Sequence, residues 1–209
     1  MDSRSYRALA CRRDDATALR TGSGPVSPVP AASRRPRRYD PDRRDRLVDV
    51  ALDVVADVGA AAATHRAIAR AADVPLGSVT YHFASREDLL TAAFGRHADA
   101  AGDRFAARLD GGGPLLETLV RYLCDDLVGS ERDLVLMVEL YVAAARSPGL
   151  RAVTQSWMQR SREVLERFVD PVTARELDAF VEGLVLHSAL STAPMNESQI
   201  RHALQRFVA

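Results

Sequence analysis

From about residue 42 to residue 208, apolar positions recur at helical spacing rather than at the alternate spacing of strands. Leu47, Val48, Ala51, Val54, Val55 and Val58 form one stripe. It predicts a helix from about Asp42 to Val58, with Asp40 as cap, Pro41 at the first helical position and Gly59 as the stop. Ala67, Ile68 and Ala71 share a face behind Thr64, whose hydroxyl can cap a short helix. Asp73 stands where the chain must turn, and Asp enters the left-handed region more readily than most residues. A second short helix is expected from about Pro75 to Tyr81, with only Val79 and Phe83 as apolar anchors. Its remaining side chains are small or polar, so its surface is available to something outside the fold. Ser85 and Asp88 have capping-box spacing. Leu89, Leu90, Ala93, Phe94, His97, Ala101 and Phe105 then keep the helical period to about Leu109, a rod of about 35 Å.

The second half is helical throughout. Leu115, Leu116, Leu119, Tyr122, Leu123 and Leu127 predict a helix over 115–128. Ser130 and Asp133 can cap the next, over 131–146, which is apolar nearly all round and is expected to be buried inside a bundle. Ser147 and Pro148 open a helix to about Val169. Thr173 with Glu176 suggests a capping box for a helix to about Leu190, and Asn196 with Gln199 one for a last helix ending near Phe207. The expected fold class is all-α. A three-helix unit with a helix-turn-helix occupies 40–94, and a larger helical body occupies 95–209. Residues 1–39 mix Arg, Ser, Pro and Gly without an apolar period and are expected to form a disordered basic extension.

Charge sharpens this division. Residues 1–46 hold 12 Arg and 6 Asp, a net +6, and residues 47–209 carry the compensating −6. A basic end on an acidic body suits a protein that docks on nucleic acid by one end. All 28 basic residues are Arg, which codon usage in a GC-rich genome explains without a functional reason. Arg34, Arg35, Arg37 and Arg38 cluster before the first helix. They read either as an arm that tracks phosphates or enters a minor groove, or as a leader with no function. Cys11 and Cys124 lie far apart and suggest free thiols in a reducing compartment. With no secretory-signal pattern and no long uncharged apolar run, the expected location is the cytoplasm, with no membrane partner.

The stretch 64–90 resembles the DNA-binding domain of the TetR family of transcriptional repressors. The resemblance rests on Gly59, Thr64, Ile68, Ala69, Ala72, Val74, Gly77, Tyr81, His82, Phe83, Ser85, Glu87, Leu89 and Leu90. Three positions depart from the family pattern: Asp73 replaces a usual Gly, Pro75 a Ser or Thr cap, and Thr80 a Tyr that touches phosphate. The resemblance implies a homodimer that binds a double-stranded, palindromic DNA operator and is released by a small-molecule effector in the body. A constitutive DNA-binding regulator without an effector is the alternative.

Candidate site residues follow. Ser78, Thr80 and Tyr81 point outward on the second short helix, and Leu76 can touch a thymine methyl. Gly77 permits close approach to the DNA backbone, or else tight packing on the first helix. Thr64, His65 and Arg66 lie at a helix N-terminus suited to phosphate, and His82 and Arg86 extend the phosphate line. In the body, His97, Tyr122, Glu139, Tyr141, Trp157 and His187 interrupt apolar helical faces and are candidate ligand contacts. Glu139 stands out, because a buried carboxylate is costly without a partner; Arg121 or solvent could equally satisfy it. From the resemblance, Phe180, Val181, Leu184, Leu190, Ile200, Leu204 and Phe207 are candidates for the dimer face, or for the core of their own subunit. The five histidines, at 65, 82, 97, 187 and 202, have no metal-ligand spacing, and no phosphate loop or nucleophile elbow is present. No enzyme activity, metal or cofactor is expected.

Overall fold

Nine α-helices and one π-helical turn account for the regular structure in a computed structural model that describes residues 40–127 and 130–208; no strand forms among them. The N-terminal helices are α1 (Arg43–Val58), α2 (His65–Ala71), α3 (Leu76–His82) and the long α4 (Arg86–Asp110). Then come α5 (Leu115–Arg121), the π turn (Tyr122–Leu127), α6 (Glu131–Ala144), α7 (Pro148–Leu165), α8 (Pro171–Leu190) and α9 (Glu197–Leu204). The expected basic extension, with its arginine cluster and Cys11, lies outside the described residues.

Local chemistry fixes most helix starts. The Thr64 hydroxyl accepts from the Ala67 N–H at 3.2 Å. Ser85 and Asp88 exchange two bonds of 3.0 Å, and Asn196 and Gln199 do the same at α9. Ser130 and Ser147 cap α6 and α7, the latter with Pro148 at the first position. Asp73 has φ 51°, the left-handed turn between α2 and α3.

Two expected caps are corrected. Asp40 pairs with Arg43 and Arg46 instead, and Asp42 takes the cap position of α1 without a side-chain bond. Asp170, not Thr173, opens α8: its Oδ1 accepts from the Val172 and Thr173 N–H groups, and the Thr173 hydroxyl donates to its Oδ2. An aspartate before proline caps earlier because Pro171 has no N–H to satisfy. The expected helix 115–128 widens into the π turn after Arg121, α7 stops at Leu165, and α9 stops at Leu204.

Asp40–Ala209 form one compact unit, threaded by α4. At 25 residues α4 is about 37 Å long. It packs against α1 at its N-terminal end and against α7 and α5 further along, while α7 also packs on α6 and α8. Helix α6 also touches α1. It is less enclosed than its composition suggested: Leu134, Leu136, Met137 and Leu140 are buried, but Val135 and Val142 remain on the surface.

Candidate DNA-binding face and candidate ligand cavity

Helix α3 is held from beneath by buried Val79 and by Phe83, which ends it. The Arg44 guanidinium lies 5.1 Å over the Phe83 ring. Little of its remaining surface serves the fold. Tyr81 is 84% exposed, with its ring edge-on to His82 at 5.1 Å. Leu76 is also exposed, although it is apolar. A Cβ added at Gly77 would meet nothing within 4 Å, so packing does not demand glycine there. Ser78 is half-committed, accepting from Arg43 Nη1 at 3.4 Å. Thr80 turns its hydroxyl back onto the carbonyls of Leu76 and Gly77. Beside α3, Arg66 is exposed on the first turn of α2, and His65 is partly covered.

Behind this face the loop 59–63 is gripped from two sides. Glu139 of α6 accepts from the Ala60 N–H through Oε2 at 2.7 Å. Gly59, at φ +83°, brings its backbone so close that a Cβ would lie 3.1 Å from Glu139 Oε1. Arg86 of α4 donates from Nε to the Ala63 carbonyl at 3.0 Å and from Nη2 to the Ala60 carbonyl. Arg132 of α6 reaches Asp53 of α1 at 2.6 Å, and Ser147 donates to Glu87. The start of the body is thus tied to the helix-turn-helix through backbone groups, not only through α4.

A cavity of about 20 Å³ lies among α4, the π turn, α6, α7 and α8. Phe105, Tyr122, Trp157, Met137 and Leu165 make it mostly aromatic and apolar, and Asp178 and Glu182 of α8 bring two carboxylates to it. Phe105 and Tyr122 pack with their rings tilted by 45°, 4.7 Å between centroids. Behind Trp157 stand His97, edge-on at 6.3 Å, and Tyr141, nearly parallel at 6.4 Å. The π turn is anchored by Arg108, which donates two bonds, 2.9 and 2.8 Å, to Asp126. It places both Tyr122 and Leu127 at the cavity.

Electrostatically the two acids differ. Burial pushes the Asp178 carboxyl up to about 6, opposed by Arg162 at 3.6 Å. Burial alone pushes Glu182 up to about 7, and its Oε2 is covered without a hydrogen-bond partner among the described residues. Burial likewise raises the Tyr122 phenol and lowers His97, the latter partly offset by Asp133. Both stay uncharged near neutrality.

Comparison with known proteins decides what this arrangement belongs to. Residues 47–93 match the bacterial regulatory proteins of the tetR family, and residues 114–209 match the tetracyclin repressor-like C-terminal domain. The solved SCO7518 from Streptomyces coelicolor A3(2) is 43% identical, with TM-score 0.75 over 81% of this chain and 99% of that one. The chain belongs to the TetR family. The multidrug binding protein EbrR, solved with imidazole, is 39% identical with TM-score 0.73, covering 81% of this chain and 97% of its own. The transcriptional regulator BetI of Cronobacter sakazakii is 28% identical over 184 residues, 80% of this chain and 90% of its own. The protein is therefore a helix-turn-helix transcriptional regulator, not an enzyme. No described helix is long and apolar enough to cross a membrane.

Within this TetR-family fold the sequence-derived residues separate. Leu76, Gly77, Ser78, Thr80, Tyr81 and His82 share α3, and Thr64, His65 and Arg66 adjoin it on α2. Thr64 is a cap, and Arg86 is a clamp on the α1–α2 loop rather than a free phosphate arm. Of the ligand candidates, Tyr122 and Trp157 line the cavity, with His97 and Tyr141 behind them. Glu139 is placed elsewhere, at a separate pocket of about 270 Å³ with Arg86, Leu90 and Arg146, and its hydrogen-bond partner is the Ala60 N–H rather than Arg121. His187 is also elsewhere, exposed near the end of α8.

The dimer candidates divide too. Leu184, Ile200 and Leu204 are buried in their own subunit, and Phe180 packs on Phe207 at 5.4 Å. Val181 lines the cavity, and Leu190 alone of the set is largely exposed. The sequence reading missed Asp178 and Glu182. Their i, i+4 spacing on the face of α8 that also carries Val181 and Val185 was the available signal.

Proposed function

We propose that this regulator is a repressor that binds a palindromic operator as a homodimer and is released by a small molecule entering the aromatic cavity. The observation that carries the DNA reading is the outer face of α3: Tyr81 and Leu76 are exposed on a helix whose folding requires only its inner side. Such a helix fits the major groove, where Tyr81 and Ser78 would meet bases or phosphates and Leu76 a thymine methyl. A seven-residue helix reads few bases, and a two-fold dimer doubles the readout. On α8, Leu186 and Leu190 stand exposed one turn apart and are the apolar positions offered to a second subunit.

Release requires motion. A cavity of about 20 Å³ holds roughly one water, so a drug-sized ligand must part the helices around it. Two of those helices reach the DNA-binding end: α4 carries Arg86 and α6 carries Glu139, and both hold the loop before α2. A shift there would change the separation of the two recognition helices from the roughly 34–36 Å that successive major grooves require. EbrR is known with imidazole, proflavin, ethidium and malachite green. Aromatic compounds are accordingly the effector class to try first. The small volume of the cavity is the observation that favours the alternative, a constitutive regulator with a closed body.

The test is fluorescence anisotropy on DNA flanking the gene, at physiological salt, with the native protein and Tyr81→Ala, each with and without proflavin. Sequence-specific binding that falls about tenfold or more on substitution supports the assigned face. Binding that is weak, indifferent to sequence and unchanged by the substitution rejects it. Specific binding that proflavin and related dyes leave unaltered favours the constitutive regulator.

A further inference from the structure

We infer that the cavity selects positively charged aromatic ligands over neutral ones of the same shape, and that Glu182 is the residue that selects them. The inference rests on the ligand-cavity reading above and adds the ligand's charge and the residue that reads it. Glu182 reaches the cavity from the middle of α8, and its Oε2 is covered by protein yet accepts no hydrogen bond among the described residues. Of the other polar groups at the cavity, Ser161 is uncharged, and the ionisable ones are partnered or neutral. Asp178, one turn away, has the Arg162 guanidinium at 3.6 Å. Tyr122 is held as the neutral phenol by burial. His97, on the far side of Trp157, is neutral and has Asp133 beside it. No cation of the protein is paired with Glu182 among the described residues.

Leaving an acid in such a position costs stability, since a buried charge needs a partner. A ligand cation supplies one. The surrounding rings of Phe105, Tyr122 and Trp157 add their own attraction, because the face of an aromatic ring is electronegative. A ring system with delocalised positive charge can therefore meet carboxylate and π faces in one pocket. A neutral aromatic gains only the rings. It leaves Glu182 protonated and gives the carboxylate no role.

The experiment compares two probes that share one ring system, proflavin, which is cationic, and acridine, which is uncharged at about pH 8. Binding is followed by quenching of Trp157, the only tryptophan, in the full chain and in Glu182→Gln. Gln keeps the volume and one acceptor but cannot carry charge. The expected result is a loss of about tenfold or more in proflavin affinity in Glu182→Gln, with acridine affinity unchanged within about twofold. The acridine arm also shows that the variant retains its folded pocket. Equal affinity of native and variant protein for proflavin overturns the assignment, as does an equal loss for both probes. Failure of both probes to quench the native protein overturns the ligand-cavity reading along with it.

Discussion

Two glutamates interrupt apolar helical runs, Glu139 in LVLMVELYV of α6 and Glu182 in FVEGLVL of α8, and the fold treats them in opposite ways. Glu139 meets a backbone N–H at 2.7 Å and becomes a tie between the body and the loop before α2. Glu182 stands at a mostly apolar cavity, its Oε2 without a hydrogen-bond partner among the described residues, and burial pushes its carboxyl up to about 7. An acid in an apolar run thus signals only that something must satisfy it. Here the chain supplies the partner at one site and leaves it to a ligand at the other. The first acid serves positioning, and the second recognition.

The strongest way to break this comparison is pH. The Glu182 carboxyl has its ordinary value of 4.5 in the unfolded chain and about 7 in the folded one. Between these values the native state holds more protons, so stability falls as pH rises through that window, and the full deficit remains above it. The deficit is at most about 3 kcal/mol. Glu182→Gln should therefore raise the melting temperature at about pH 8 and leave it nearly unchanged at about pH 4.5. A shift of the same size at both pH values would mean that Glu182 is not uncompensated.

Glu139→Ala should act in the other direction. It deprives the Ala60 N–H of its acceptor and is expected to cost about 2 kcal/mol in urea unfolding. Glu139→Gln, which keeps an acceptor, should recover much of that. A loss below about 0.5 kcal/mol for the alanine variant would show that the tie contributes nothing. The smallest effect is expected at the neighbouring surface pair. Arg132 and Asp53 lie 2.6 Å apart but are about half or more exposed, so Arg132→Ala should cost under about 1 kcal/mol, less at high salt. A larger loss would place the link between α6 and α1 in surface charge rather than in the backbone tie.

Much of the DNA-binding end was legible because its signals are local. Thr64, Ser85 and Asp88 cap neighbours within three residues, and Asp73 turns within its own dihedral angles. Val79 and Phe83 were recognisable as anchors because they lie four residues apart among small and polar neighbours. Arg86 was not readable, since it lies 23 and 26 residues from the carbonyls it binds. The cavity was half readable. Aromatic residues in apolar helices marked Tyr122 and Trp157, but the same rule drew in His187, which lies on the outer side of α8. Leu184, Ile200 and Leu204, read as dimer face or own-subunit core, are buried in their own subunit, and the stripe alone did not separate the two. An apolar stripe shows that a face is covered and not by which subunit.

The sequence by itself determined the all-α class, nearly every helix and most of its caps, the helix-turn-helix with its exposed Tyr81, and the membership of the family. These depend on periodicity and on hydrogen bonds that close within one turn. Only the tertiary structure decided which of two similar glutamates is satisfied, which arginine is a clamp, and which aromatic rings share a cavity. Those outcomes depend on groups up to 79 residues apart in the chain, such as Ala60 and Glu139, meeting at hydrogen-bond distance. No local pattern encodes such a meeting; it is fixed by how α4, α6, α7 and α8 pack.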